Sequence, residues 1–145
     1  MAAVERSVLV EHSALEMQAL VEDIASYPHF LPWCGGADVV SRDTGAVIAT
    51  IKIDYRGISQ QFTTENISIA GESIRIRLVS GPFRSLEGEW HFRALGDKAC
   101  KVGLHLEYEF SNRVFDLVLG PVFHYIADSL VEAFVKRADA VYGCH

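Results

Sequence analysis

The spacing of hydrophobic and polar positions predicts a strand and then a helix in the first part of the chain. Ser7–Glu11 alternates in the manner of a short strand. Ser13 and Glu16 have the spacing of a capping box, so we expect a helix to begin there and to end before Pro28. Its apolar stripe consists of Met17, Leu20, Val21 and Ile24. The positions left for solvent are Glu16, Gln18, Glu22 and Asp23.

Between Ala37 and Phe110 the period changes to two, which is typical of an antiparallel meander. Arg56-Gly57 predicts a tight turn within it. One face of each strand is apolar and rich in aromatics, whereas the other carries mixed charges that face solvent. The charged face includes Arg75, Arg77, Glu87, Glu89 and Arg93, among which we expect ion pairs between the arginines and the two glutamates.

The last segment, Asn112–Val141, has helical periodicity, with Ser111 or Asn112 as its N-cap. Gly120-Pro121 lies inside it, so we expect a kink or a break into two helices there. Residues 1–145 are predicted to form one α+β domain, in which a curved antiparallel sheet wraps around the terminal helix.

Composition and charge exclude several classes of protein. Half of the 145 residues are hydrophobic, which argues against a disordered chain. The net charge of -6 opposes binding to DNA or to anionic lipid surfaces. No uninterrupted apolar run approaches the ~20 residues of a transmembrane segment, and Glu5 and Arg6 stand where a signal peptide would be apolar. We therefore expect a bacterial protein of the cytoplasm.

The cysteines and histidines point to no metal or nucleophile. Cys34, Cys100 and Cys144 have no C-x-x-C spacing and are expected to be reduced thiols. Cys34 could be a nucleophile, but the alternative of a small buried thiol needs no partner base. The six histidines show no metal-ligand spacing, and no phosphate-binding loop is present in the sequence; the histidines are His12, His29, His91, His105, His124 and His145.

Five segments carry a resemblance to a known family: Tyr27-Pro-His-Phe-Leu-Pro-Trp-Cys34, Phe62-Thr-Thr-Glu-Asn66, Gly81-Pro-Phe-Arg-Ser-Leu-Glu-Gly-Glu-Trp-His-Phe92, Glu107–Asn112 and Gly120–Phe123. These segments occur in the same order as in the START-like (helix-grip, Bet v 1-like) family, which the chain resembles over nearly its full length. That family contains coenzyme-Q-binding proteins, ribosome-association toxins and distant polyketide cyclases. The resemblance implies a helix-grip fold with a hydrophobic cavity between sheet and helix.

The candidate site is this cavity, with an ordinary closed core as the alternative reading. Its expected lining is Tyr27, Phe30, Trp33, Phe62, Thr64, Asn66, Phe83, Trp90, Tyr108, Phe115, Leu119 and Phe123. Thr64, Asn66 and Gln60 share the strand parity of Phe62, so they either bond one another or await a polar ligand head. Arg84 lies near the proposed mouth, where it could bind an anion or a carbonyl group.

The sequence leaves three functions open. The first is non-catalytic binding and transport of an isoprenoid quinone (ubiquinone) or similar lipid in support of respiration, with no cofactor beyond that bound molecule. The alternative, implied by the resemblance, is a toxin that binds the large ribosomal subunit, blocks 70S formation and pairs with a small antitoxin protein. The third is a polyketide cyclase or aromatase that would use an interior tyrosine such as Tyr108.

Overall fold

The computed structural model describes residues 2–143, so Met1, Cys144 and His145 lie outside the described residues. The predictions made for Cys144 as a reduced thiol and for His145 as one of the histidines without metal-ligand spacing therefore fall outside the described residues. The elements in chain order are β1 (Ala2–Val10), α1 (Ala14–Glu22), a 3₁₀ helix (Ile24–His29), β2 (Cys34–Asp43), β3 (Ala46–Tyr55), β4 (Ile58–Ile69), β5 (Ser73–Ser80), β6 (Phe83–Ala94), β7 (Cys100–Phe110) and α2 (Arg113–Tyr142).

The seven strands form one antiparallel sheet in the order β1-β7-β6-β5-β4-β3-β2. The meander is confirmed, and β1 joins it by pairing with β7, with Val10 opposite Cys100. Arg56 and Gly57 both have positive φ (51° and 80°), as a two-residue hairpin turn between β3 and β4 requires. The α+β helix-grip prediction is confirmed.

The apolar faces of the strands point to one side, where α2 covers them. Along β7 every second residue from Cys100 to Phe110 is buried, as alternation predicts. The buried side chains of α2 recur at helical spacing and face the sheet; they are Leu119, Phe123, Ile126, Ala127, Val131, Phe134 and Ala138. The core therefore lies between the sheet and one stripe of α2.

The capping box of α1 is confirmed, since Ser13 Oγ accepts from Glu16 N (3.1 Å) and Glu16 Oε1 accepts from Ser13 N (3.0 Å). The helix ends at Glu22, and a 3₁₀ helix containing Pro28 follows. The placement of Gln18 in solvent is wrong. Gln18 is 2% exposed, and its amide binds the backbone of the β4–β5 turn at Ile69 O (3.0 Å), Ser73 O (3.2 Å) and Gly71 N (2.6 Å).

Of the two outcomes expected at Gly120-Pro121, a kink or a break, the break into two helices is wrong, because α2 runs unbroken through Pro121. Proline deprives the carbonyl of Leu117 of its helical donor, but Leu117 is 68% exposed, so water can supply the missing hydrogen bond. Asn112 is the N-cap and accepts from Phe115 N (2.9 Å). By length and mean hydropathy (1.4), α2 could also cross a bilayer. This was not detected from the sequence, because polar residues interrupt the apolar run. In this fold α2 is the core helix, with its buried residues facing the sheet.

Candidate functional site

A small apolar cavity of about 90 Å³ lies between the middle of α2 and the concave face of the sheet. Side chains from α1, the 3₁₀ segment, the loop before β2, five strands and α2 line it. The lining residues are Val21, Ile24, Tyr27, Trp33, Ala49, Ile51, Phe62, Thr64, Asn66, Ile74, Ile76, Leu86, Trp90, Leu104, Leu106, Phe123, Ile126, Ala127, Leu130 and Phe134.

Aromatic clusters fill the space on either side of this cavity. The first packs against the N-terminal half of α2 and consists of Phe62, Phe83, Tyr108, Phe110 and Phe123, with ring centroids 4.7–6.4 Å apart. The second packs against the C-terminal half and consists of Tyr27, Phe30, Trp90, Phe92 and Phe134, at 5.2–6.2 Å. What remains open is the short space between them.

The cavity volume limits what it can hold. Its open volume is about 90 Å³. Binding pockets for drug-sized ligands usually measure about 300–1,000 Å³. A quinone ring with an isoprenoid tail therefore requires the walls to move apart.

Two polar side chains of β4 form the hydrophilic part of the wall. Thr64, 5% exposed, donates its hydroxyl to Asn66 Oδ1 at 3.0 Å. The two residues thus bond one another, and the amide nitrogen of Asn66 remains as a donor for a ligand. Gln60 has the same strand parity but does not line the cavity.

Tyr27 is the ionisable residue among the described residues that line the cavity. Its hydroxyl donates to the carbonyl of Val21. Burial raises its pKa far above the usual value, and the charges of Cys34, Asp23 and Glu22 act in the same direction. The phenol therefore stays protonated at neutral pH and holds the 3₁₀ segment against α1.

The structure places part of the expected lining on the cavity wall. The residues on the wall are Tyr27, Trp33, Phe62, Thr64, Asn66, Trp90 and Phe123, and their contact with a ligand remains a prediction. The residues that do not line it are Phe30, Phe83, Tyr108, Phe115 and Leu119. Those five point to the correct side of the sheet or helix but pack into the aromatic clusters or the adjoining core, because parity specifies a face and not a depth.

Sequence reasoning missed the small residues that leave the space open. Ala49 on β3 and Ala127 on α2 are 1% and 0% exposed, and both line the cavity. The sequence does contain a sign of the cavity, which is an alanine among large apolar neighbours on a core face. A larger side chain at such a position would fill the gap.

The other candidates have structural roles. Cys34 is buried and donates its thiol to Gly36 O at 3.3 Å, and burial raises its pKa, as expected of a structural thiol. Arg84 pairs with Glu109 at 3.2 Å, outside the cavity.

On the outer face of the sheet, Arg75 lies 3.9 Å from Glu89 as expected, whereas Arg77 pairs with Glu65 at 2.6 Å and not with Glu87 or Glu89. The register of β4 with β5 places Glu65 directly opposite Arg77. Within residues 2–143, no group of three or more His, Cys, Asp or Glu side chains could hold a metal ion.

Residues 10–135 match the family model described as polyketide cyclase / dehydrase and lipid transport. The chain is 44% identical to the ribosome association toxin RatA of Vibrio cholerae, with 99% of each chain covered. It is 25% identical to the mitochondrial coenzyme Q-binding protein COQ10 homolog B of Xenopus laevis, covering 94% of this chain and 58% of that protein.

Solved structures share the fold. A START superfamily protein from Mycobacterium smegmatis has a TM-score of 0.80 at 21% identity, covering 96% of this chain and 98% of that one. The Zhui aromatase/cyclase from Streptomyces sp. R1128 has a TM-score of 0.83 at 16% identity, covering 95% and 93%. At these identities the likeness extends to the fold alone.

Proposed function

Since this chain belongs to the polyketide cyclase / dehydrase and lipid transport family, we propose that within it the protein acts as a ribosome-association factor of the RatA kind, in the bacterial cytoplasm. The observation that carries this proposal is the 44% identity to a RatA protein along 99% of both chains. The coenzyme-Q-binding relative is more distant, at 25%. The large ribosomal subunit is the proposed target, and a small antitoxin protein is a proposed second partner.

The exposed side of α2 supports a role that depends on a protein surface. Three apolar side chains near the start of α2 are exposed: Val114 by 67%, Leu117 by 68% and Val118 by 53%. Contiguous exposed apolar side chains of this kind mark interaction surfaces more often than chance would place them. A ribosomal protein is a better-suited contact than bare rRNA, because the net charge is -6.

The test is subunit joining measured by sucrose-gradient sedimentation. Purified protein added to separated subunits should lower the 70S peak and sediment with the large subunit. Val114→Ser with Val118→Ser should weaken the effect, whereas Ala140→Ser, exposed near the other end of α2, is the matched control. An unchanged 70S peak at saturating protein would disprove the proposal.

A second candidate, binding of an apolar small molecule, is favoured by the cavity and its Thr64–Asn66 pair. The relevant probe is a short-tailed ubiquinone, whose ring carbonyls can accept from the Asn66 amide. Because the cavity measures about 90 Å³, uptake must displace a wall and should be slow relative to diffusion. Quenching of Trp33 and Trp90, both on the wall, reports it, and absence of saturable quenching would remove this candidate.

We propose no catalysis. Of the described residues on the cavity wall, Tyr27 alone can ionise, and its proton is committed to the Val21 carbonyl. A cyclase needs an acid or base within reach of its substrate. Conversion of a defined polyketide thioester by the purified protein would overturn this statement.

A further inference from the structure

A second cleft, separate from the apolar cavity, lies where α2 begins. It measures about 420 Å³, opens to solvent and shares no lining residue with the cavity. The start of β1, the end of β7, one arginine of β6 and the first turn of α2 enclose it. Its lining consists of Ala2, Arg84, Tyr108, Glu109, Phe110, Asn112, Arg113, Asp116 and Leu117.

The buried phenol of Tyr108 supplies an unused polar group to this cleft. Its ring is 3% exposed and packs between Phe110 and Phe123, with centroids 5.8 and 4.7 Å away. Within residues 2–143 the hydroxyl makes no hydrogen bond, and it is not among the buried atoms left without a partner, so it is open to the cleft that the residue lines. Burial, together with the charge of Asp116, raises its pKa, so it is a proton donor at neutral pH.

Positive charge and free donors meet at the same place. α2 is 30 residues long, and the N–H groups of its first turn have no helical acceptor apart from the one that Asn112 caps. Arg113, exposed at the first position, has no ion pair with any residue from 2 to 143. Arg84 gives one N–H to Glu109 and keeps its others.

Two acids, Glu109 and Asp116, also line the cleft. Glu109 is neutralised by Arg84 at 3.2 Å. Asp116 leans along the helix toward Gly120, where its Oδ1 lies 3.3 Å from the position that a Cβ would occupy. Asp116 still lines the cleft beside Tyr108, so a bound anion would depend on the phenol, the Arg113 guanidinium group and the backbone N–H groups to offset its charge.

We infer that this cleft binds a phosphate group attached to a small apolar moiety, with the Tyr108 hydroxyl, the Arg113 guanidinium group and the first N–H groups of α2 as donors. Donors from three separate groups, a phenol, a guanidinium group and a helix terminus, suit an oxyanion with several acceptor oxygens, such as phosphate. The apolar moiety packs against Leu117 and Phe110 on the remaining wall. This site depends on neither proposed function.

The experiment is an amide NMR titration of the full chain at constant ionic strength with phenyl phosphate, inorganic phosphate, benzoate and chloride. We expect saturable shifts at residues 113–115, with phenyl phosphate binding more tightly than inorganic phosphate or benzoate. Tyr108→Phe keeps the ring packing and removes the donor, and Arg113→Gln changes an exposed side chain. Each should weaken phenyl phosphate binding about fivefold or more.

Arg42→Gln, exposed on β2 far from the cleft, is the charge-matched control and should bind as the parent does. Equal shifts with chloride, or benzoate binding as tightly as phenyl phosphate, would overturn the assignment. So would unchanged binding in either the Tyr108 or the Arg113 variant. Because Arg113 is exposed, its variant tests the site even if the Tyr108 variant fails to fold.

Discussion

Filling the cavity from α2 separates the two proposed functions. Ala127→Leu adds three carbon atoms at a position that is 0% exposed and on the cavity wall. The three added carbons would extend into the open volume of about 90 Å³ beside Ala127.

The expected effect on stability follows from the burial of those groups. Three groups at about 0.8 kcal/mol each give ~2.4 kcal/mol. The lost rotamer freedom of leucine costs roughly 0.5–1 kcal/mol, and its helix propensity a few tenths more. The net gain is about 1 kcal/mol, which should raise Tm by about 3 °C for a chain of this length.

Calorimetry and tryptophan quenching measure the two consequences. We expect Ala127→Leu to raise Tm and abolish quenching by short-tailed ubiquinone, while its effect on the 70S peak equals that of the parent. Ala140→Leu, exposed on the same helix, is the matched control and should change neither. A drop in Tm of several degrees would mean that the added carbons clash, and the reasoning about open space would then be wrong.

Three further predictions concern stability and reactivity. Gln18→Ala should lower the free energy of unfolding by about 2–4 kcal/mol in urea, because three backbone groups, one buried and two half-buried, lose their hydrogen-bond partner, whereas Gln61→Ala on the solvent face should change it by under ~0.5 kcal/mol. Since the pKa of Tyr27 is raised above 10.0 in the fold, stability should be retained below pH 10 and decline above it, and Tyr27→Phe should flatten that decline. Burial raises the pKa of Cys34 and, with the charge of Glu16, that of Cys100 to about 11. In a Cys144→Ser variant, thiol reagent at neutral pH should therefore react only after unfolding; rapid labelling of the native protein would contradict this.

The sequence was sufficient to predict which face of each strand is buried, because strand alternation is a local property. The alternate burial along β7 and the Ser13–Glu16 capping box are examples. It was not sufficient for Gln18, because the turn that this side chain binds begins 51 residues later. The pairing of Arg77 with Glu65 likewise depends on a register that local pattern does not contain.

The extent of the cavity was also beyond prediction from parity. Tyr108 and Phe123 have equally apolar, inward-facing patterns, yet only Phe123 lines the cavity. Which of two such rings borders open space depends on how the rings pack against each other, here at 4.7 Å between centroids. The small side chains of Ala49 and Ala127 then decide where the packing stops.

The pairing of β1 with β7 has a consequence for how the protein comes to be folded in the cell. Ala2 lies opposite Tyr108 and Val10 opposite Cys100, so this part of the sheet joins residues about a hundred positions apart. Until β7 has left the ribosome, the backbone groups of β1 that pair with it have no hydrogen-bond partner. Such distant pairings are closed slowly, since the entropy of the intervening loop is lost before the contacts form. The pairing edge of β1 therefore stays open until synthesis has passed β7, which is when this part of the sheet can close.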